Sequence, residues 1–313
     1  MKVAVLILST LKEPSTRNIE GIKNTYVSLA NSLSEQGKLK HEYDFYFYYG
    51  DCNKPFDETT VLVDSTKHCY NIAVPIKESI YTTFEKGLEA LKQVNDYDFY
   101  IRCNISCYLH IPVIDKMLNN LKKDEVYAAS LNSYVNDENL YNDLYPRGDF
   151  TMFSNYVKNG ILKNADKYID CDKADANRLN VPHVDDCLFG LCIKDFFGND
   201  YYNHLIPLTY NYLPSYKEEE PTAWIMNCFL TRVKTIPPGI GYSGYSWEDN
   251  DYRKMDVYKM NLINEKIKAT DFSKEKISFS SCLNDNKPIV LIVPKFAKLE
   301  TFKAYLKEKY SKK

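Results

Sequence analysis

The sequence lacks the common phosphate-binding signatures. The one G-x-G-x-x-G, Gly239 to Gly244, follows Pro237-Pro238 and not a predicted strand, so a dinucleotide-binding site lacks its fingerprint here. The P-loop pattern G-x-x-x-x-G-K-[ST] is absent, and so is the G-x-S-x-G nucleophile elbow of α/β-hydrolases. Glycine is scarce, with 11 residues in 313, which excludes collagen-like and Gly-rich low-complexity chains. An excess of one charge is also missing: 40 Lys and Arg against 42 Asp and Glu leave a net charge of −2. A protein that neutralises a row of phosphates needs a basic surplus, so no nucleic-acid partner is expected. No C-x-x-C pair occurs among the nine cysteines, which are scattered from Cys52 to Cys282, and this spacing excludes a zinc ribbon. An odd number of scattered cysteines reads as free buried thiols in a reducing compartment, so a cytoplasmic location is expected. Long hydrophobic runs are missing too. The run Val3 to Leu8, followed by Ser9, falls far short of the ~20 residues that span a bilayer. It has no small-residue cleavage site and a helical pattern follows it, so neither a transmembrane segment nor a signal peptide is expected.

What is present is the composition of an ordinary globular chain, 44% hydrophobic and 26% charged. Tyrosine is abundant (27 residues), which an AT-rich coding sequence would explain as well as a binding surface. The run at Met1 to Ser9 predicts a buried strand. Ile19, Ile22, Tyr26, Leu29 and Leu33 recur at helical spacing. Tyr43 to Tyr49 is aromatic and β-prone and stops at Gly50-Asp51. Thr59 to Val63 predicts a third strand, and Ile76 to Leu91 a long helix. Tyr97 to Leu109 reads as strand, Ile114 to Leu121 as helix, and Glu125 to Leu131 as strand. This alternation predicts an α/β fold with a mainly parallel sheet flanked by helices. Ligands of such sheets bind beyond the carboxyl ends of the strands, where Ser9, Thr10, Gly50, Asp51, Arg102 and Asn104 fall.

The pattern breaks after residue 135. Residues 135 to 149 read as loop, Met152 to Leu162 as helix, and Val184 to Phe197 as an apolar stretch opened by two acids. Residues 199 to 255 carry no clear period. Tyr252 to Ile267 predicts a helix, Pro288 to Val293 a strand, and Lys298 to Lys313 a basic amphipathic helix, either a solvated face or a docking element. No repeat or Gly/Ser linker divides the chain. One domain over 1–313 is expected, with an irregular C-terminal part.

Asp185 and Asp186 have two readings. They are caps that suit the positive end of a helix, or carboxylates raised in pKa by burial and by each other, suited to general-base work. Lys86 reads as a solvated helix residue or an anion ligand. Arg102 pairs with Asp98 or Asp51, or binds an anion. His204 is a surface histidine or a ligand. Trp224 and Trp247 are packing residues or platforms for a sugar face.

Several short segments, in order, resemble one family: the β-1,3-galactosyltransferase and Fringe superfamily of GT-A fold glycosyltransferases. Ile22-Lys23-Asn24-Thr25-Tyr26, with Arg17 upstream, is similar to its I-R-x-T-W segment. Phe47-Tyr48-Tyr49-Gly50 is similar to F-V-L-G. Glu78 to Lys86 resembles D-x-Y-x-N-L-T-x-K. Phe99 to His110, FYIRCNISCYLH, falls where the family has F-x-K-x-D-D-D-x-F. Tyr145-Pro146, Gly148 and Ser154 fit Y-P…G…Y-x-x-S. Val184 to Cys192, VDDCLFGLC, resembles D-D-V-x-x-G-x-C. Asn203-His204-Leu205 falls where Fringe-like members have S-H-L. The resemblance covers residues ~1 to 205.

The resemblance implies an inverting transfer from a nucleotide-diphosphate sugar, a UDP-sugar, to a hydroxyl of a glycan or glycoconjugate acceptor. It implies a nucleotide-sugar half over 1–134, an acceptor and catalytic half over 135–270, and an extension over 271–313. Asp186 is its expected base and Asp185 the residue that orients it or the donor sugar. Donor contacts are expected from Arg102, Asn104, Ser106, Lys86, Ser9, Thr10, Asp51 and His204. One departure matters. The metal-binding D-x-D of the family becomes Asn104-Ile105-Ser106, whose neutral oxygens suit a hard cation poorly. That argues against Mn²⁺ or Mg²⁺, and a metal-free diphosphate site built on Arg102 and Lys86 is expected instead. The alternatives are a catalytically silent sugar- or nucleotide-binding protein on the same fold, favoured by Asn104-Ile105-Ser106, and an unrelated α/β nucleotide-binding enzyme, which the missing phosphate loops disfavour.

Overall fold

A computed structural model describes residues 1–50, 66–79, 82–119, 127–133, 144–169, 184–198, 204–207, 210–212, 229–235 and 251–272. The chain divides into two compact units. The first holds Met1–Glu78, Cys103–Asn119 and Tyr210–Ile277; the second holds Ser79–Arg102, Asn120–Thr209 and Ser278–Lys313.

The first unit is built on three parallel strands in the order β3-β2-β1: β1 (Lys2–Leu8), β2 (Glu42–Gly50) and β3 (Cys69–Val74). β1 pairs with β2 from Lys2↔Glu42 to Leu8↔Tyr48, and β2 with β3 from Phe45↔Cys69 to Gly50↔Val74. The continuous apolar run of β1 is what a strand covered on both faces requires: Val3, Ala4, Val5 and Ile7 are fully buried. Such side chains contribute about 1.5–3 kcal/mol each when large and fully removed from water.

One long helical segment follows β1 as α1 (Ser15–Ile22), a π-helical turn (Lys23–Val27) and α2 (Ser28–Glu35). Ile19, Ile22 and Tyr26 form its buried stripe. The π turn has a local cause: the Thr25 hydroxyl donates to the Gly21 carbonyl at 2.6 Å and competes with the helix ladder. Gly21 also lets the segment approach a C-terminal helix, since a Cβ there would lie 3.0 Å from Val257 and 3.2 Å from the Met260 sulfur.

The chain passes from the second unit to the first along β4 (Phe99–Asn104). β5 (Cys107–Leu109) and α4 (Ile111–Leu118) follow. Asp115 of α4 ties down the entry to β2, accepting from the Lys40 and His41 amides at 3.1 Å and from the Tyr43 hydroxyl at 3.2 Å. β5 belongs to a small sheet in the order β5-β10-β9, with β9 at Tyr210–Tyr212 and β10 at Leu230–Arg232.

The second unit contains α3 (Thr83–Gln93), the first part of β4, β6 (Tyr127–Ser133), β7 (Leu144–Ser154), α5 (Asn155–Asn164), α6 (Asp166–Ile169), α7 (Val184–Phe197) and β8 (Leu205–Pro207). Its strand order is β4-β7-β6-β8. β6 pairs antiparallel with β7, with an irregularity between Ala129 and Leu131, and parallel with β8. A last helix, α8 (Lys254–Ala269), belongs to the first unit. The fold is thus mixed α/β, with mainly parallel strand pairing and flanking helices, as the alternation predicts. Among the described residues, no helix is long and apolar enough to cross a membrane.

Several expected elements differ. The helix expected from Ile76 starts at Thr83, because the preceding residues are held otherwise: the Ile76 amide bonds the Val74 carbonyl at 2.8 Å, and Glu78 bonds the Gly50 amide at 2.9 Å. The strand expected over 97–109 is two strands, broken by a turn at Ile105-Ser106. β3 was not expected, since Cys69-Tyr70-Asn71 breaks a simple apolar pattern. Residues 144–149, expected as loop, form the start of β7, and the helix expected from Met152 begins at Asn155, capped by the Ser154 hydroxyl, which accepts from the Val157 amide at 3.3 Å. The strands expected at Thr59–Val63 and Pro288–Val293 and the helix at Lys298–Lys313 lie outside the described residues, as does Asp51.

Candidate active site

Three motif segments that are far apart in the chain meet in the second unit, around Phe189 of α7. The first is the N-terminal half of α3. Phe84 packs edge-on against Phe189 with ring centroids 5.0 Å apart, and a Cβ on Gly87 would lie 3.0 Å from the tip of the Phe189 ring. The second is β4, whose Arg102 lays its guanidinium over the Phe189 ring, 4.6 Å from the centroid. The third is α7 itself, whose Asp185 carboxylate accepts from Arg102 Nη2 in a close ion pair.

The local sequence explains this meeting. Asp185 and Phe189 are four residues apart on one helix, so they share a face. One residue supplies a carboxylate and the other a π face, and both address the same guanidinium. Asp185 and Asp186 stand in the first turn of α7, where the helix macrodipole favours negative charge. Asp186 has its backbone in that turn, and its side chain lies outside the description.

The cations are placed differently from a solvated surface. The Arg102 side chain is only 4% exposed and its partner Asp185 18%. Arg102 was expected to meet Asp98 or Asp51 where it served no ligand; it meets Asp185. Lys86 of α3 is 2% exposed, so it is no solvated helix residue, and its long stem is among the fully buried side chains. Cys192, one helical turn beyond Phe189, is no nucleophile, because burial and then Asp195 push its thiol up to about 12. Cys69, Cys103, Cys107 and Cys192 are buried thiols in no disulfide, as the scattered pattern predicts.

His204 stands apart from this cluster. It stacks on Phe197 at 3.9 Å, at the other end of α7 from Asp185. Twelve residues separate Asp185 and Phe197, roughly 18 Å along the helix axis.

The other predicted donor residues lie in the first unit. Ser9 follows β1; its amide bonds the Tyr48 carbonyl at 2.9 Å and its hydroxyl bonds the Ile7 carbonyl at 3.2 Å. The Thr10 hydroxyl donates to Ser15 at 3.1 Å and accepts from the Lys12 amide at 3.3 Å. Gly50 ends β2 where a Cβ would lie 2.5 Å from the Ile76 carbonyl oxygen, so only glycine admits this approach. Asn104 ends β4, and its Oδ1 accepts from both the amide and the hydroxyl of Ser106 at 3.5 Å.

The family resemblance implies a divalent cation at residues 104–106, and the donor set there does not fit one. Its side-chain oxygens are neutral, Ser106 points its own donors at Asn104, and Ile105 is buried. Hard divalent cations select carboxylates and carry waters, neither of which this tripeptide offers a place. Among the described residues, no three His, Cys, Asp or Glu side chains gather into a metal-binding group.

Sequence reasoning reached Asp185, Arg102 and Lys86 but missed Phe189 and Gly87. The signal was available in the i, i+4 spacing of Asp185 and Phe189, and in a glycine inside an otherwise regular helix, which costs about 1 kcal/mol unless something packs against it.

No protein-family model matches the chain, and no characterised protein matches it in sequence. Solved structures similar to it include the galactosyltransferase LgtC with donor and acceptor sugar analogs, at 10% identity and TM-score 0.45, covering 86% of this chain and 98% of that one. A glycosyltransferase involved in glycosylation of the major capsid of PBCV-1 matches at 9% identity and TM-score 0.40, covering 83% and 99%. The mannosyltransferase Ktr4p from S. cerevisiae, in complex with GDP, matches at 12% identity and TM-score 0.33, covering 60% and 65%. With TM-scores below 0.5, these likenesses identify no family for the chain.

Proposed function

We propose that this protein is a glycosyltransferase that moves a sugar from a nucleotide-diphosphate sugar, a UDP-sugar, to a hydroxyl of a glycan or glycoconjugate acceptor, with inversion at the anomeric carbon. The observation that carries this reading is the convergence on Phe189. The α3 segment, the end of β4 and the acid-opened α7, recognised separately as motif segments, come together in space. Accidental matches would not be expected to meet.

In this reading Asp186 is the general base. Its carboxylate takes the proton of the acceptor hydroxyl as that oxygen attacks the anomeric carbon, and the bond to the diphosphate breaks with its electron pair leaving on the phosphate oxygen. Asp185, tied to Arg102, fixes the first turn of α7 and with it the place of Asp186. Charge growing on the leaving diphosphate is met by the field of the buried cations Arg102 and Lys86, which act strongly because water is excluded around them. Ser9, Thr10, Asn104 and Ser106 are assigned to hydrogen bonds with the donor. No step is routed through a metal, because the donor set at 104–106 does not suit one.

The test is transfer from a panel of UDP-sugars to water and to simple glycosides, followed by product stereochemistry. Asp186→Asn is expected to lower kcat by about 10²–10⁴ with nucleotide binding kept, the usual range for loss of a general base. Full activity in that variant would remove Asp186 from the role.

A second reading rests on Asn104-Ile105-Ser106: a binding protein on the same fold that has lost transfer. It predicts nucleotide or sugar binding without turnover or donor hydrolysis at any pH.

A further inference from the structure

We infer that Phe189 and Gly87 form a clamp that sets the plane of the Arg102 guanidinium, and through it the position of Asp185; both are positioning residues for the site proposed above. The inference rests on that reading for its catalytic consequence and on geometry alone for the clamp.

Arg102 is gripped on two sides. Its guanidinium carbon lies over the Phe189 ring, 4.6 Å from the centroid, and its Nη2 donates to Asp185. A guanidinium that only paired with a carboxylate could swing about its own axis while keeping one N–H bonded. One whose carbon is also held over a ring loses that freedom. The ring is fixed in turn. Phe84 stands against it at 5.0 Å with an interplanar angle of 73°, and the backbone of Gly87 closes on its tip. A methyl group at residue 87 would meet Phe189 Cζ at 3.0 Å and Cε2 at 3.2 Å, with Arg102 Nε also close, at 3.6 Å. Alanine there would therefore press on the ring, and through the ring on the guanidinium that lies over it. Gly87 lies mid-helix, where alanine would otherwise be preferred, so packing accounts for the glycine.

The consequence is specific. Asp185 precedes the proposed base by one residue on the same helical turn. A guanidinium free to tilt carries Asp185 with it and shifts Asp186 against the acceptor oxygen. Misplacement of a reacting group by about 1 Å costs up to 10²-fold in rate; the donor contacts assigned to Ser9, Thr10, Asn104 and Ser106 are untouched, and Arg102 meets charge that grows in the transition state, so its tilt also falls on kcat.

Phe189→Leu keeps an apolar side chain of similar reach and removes the π face; Gly87→Ala keeps the ring and displaces it. Two readouts are needed. The first needs no activity: the ¹H–¹⁵N resonances of the Arg102 guanidinium. A clamped guanidinium rotates slowly and shows separate Nη–H signals, which are expected in the native protein and expected to merge in both variants. The second is steady-state transfer, with kcat expected to fall about ten- to a hundredfold and KM for the donor to stay within about twofold. Either variant suffices if the other does not fold, as judged by a cooperative melt. Separate Nη–H signals retained in a folded variant would overturn the clamp. Merged signals with unchanged kcat would overturn its catalytic role. If the native protein transfers no sugar, the function proposed above fails while the resonances still decide the clamp.

Discussion

Arg102 and Asp185 illustrate how a single buried charge constrains a site. Taking a guanidinium out of water is costly, and Asp185 offsets that cost only while both partners are present. Arg102→Met is therefore expected to destabilise the protein by about 3 kcal/mol in urea unfolding, the low end for a broken buried pair because Asp185 keeps some contact with water. Adding Asp185→Asn is expected to restore much of that loss, since two neutral groups need no mutual compensation. An additive loss in the double variant would show that the two side chains do not act as a pair. His110 makes a second residue-scale case. It is fully buried, its Nε2 lies 2.9 Å from the Thr231 hydroxyl, and burial lowers its pKa to about 3. The folded state thus binds fewer protons than the unfolded chain between pH 6.5 and 3. Its contribution to stability is complete above pH 6.5 and is lost as the pH falls through that window. His110→Gln, which can keep the bond to Thr231, is expected to flatten the fall in melting temperature between pH 6.5 and 4 relative to the native protein. An unchanged slope would place the acid sensitivity elsewhere.

Among the elements, legibility followed the strength of the local pattern. β1 was readable because a run with both faces buried leaves no polar interruption, and β2 because its aromatic residues are β-formers bounded by Gly50. α1 and α2 were readable from their 3.6-residue stripe, but not the π turn between them, which depends on where one threonine hydroxyl finds an acceptor. β7 was hidden by Tyr145-Pro146-Arg147-Gly148, residues that signal a turn when read locally and are held in a strand by pairing with β6. The late start of α3 was hidden because Ile76 fits the helical stripe, while the competing bond from Glu78 to Gly50 is made across 28 residues. In the candidate site, the acids were legible as a helix opening and Arg102 as a cation at a strand end. Their pairing was not, because it joins residues 83 apart. Packing between α5 and α7 gives an element-scale test. A Cβ on Gly160 would stand 2.3 Å from the Phe196 ring. Gly160→Ala is expected to destabilise the protein by about 1–3 kcal/mol through overpacking, outweighing the roughly 1 kcal/mol that alanine gains in a helix. A stabilised variant would mean that Phe196 moves aside freely.

For the whole molecule, the central claim is that a nucleotide-diphosphate sugar binds without a divalent cation, its charge met by side chains. The two halves of this claim have different sources. The nucleotide comes from the order of the motif segments and from three of them meeting at Phe189. The missing metal comes from Asn104-Ile105-Ser106, whose oxygens are neutral and turned toward each other.

The most direct measurement is calorimetric titration of UDP, with GDP as the control, first in EDTA and then in excess Mn²⁺. The account predicts that UDP binds in EDTA, that Mn²⁺ leaves its affinity within about twofold, and that GDP binds more weakly. UDP binding that appears only with Mn²⁺ would contradict the metal-free site, and no binding of either nucleotide under either condition would contradict the transferase.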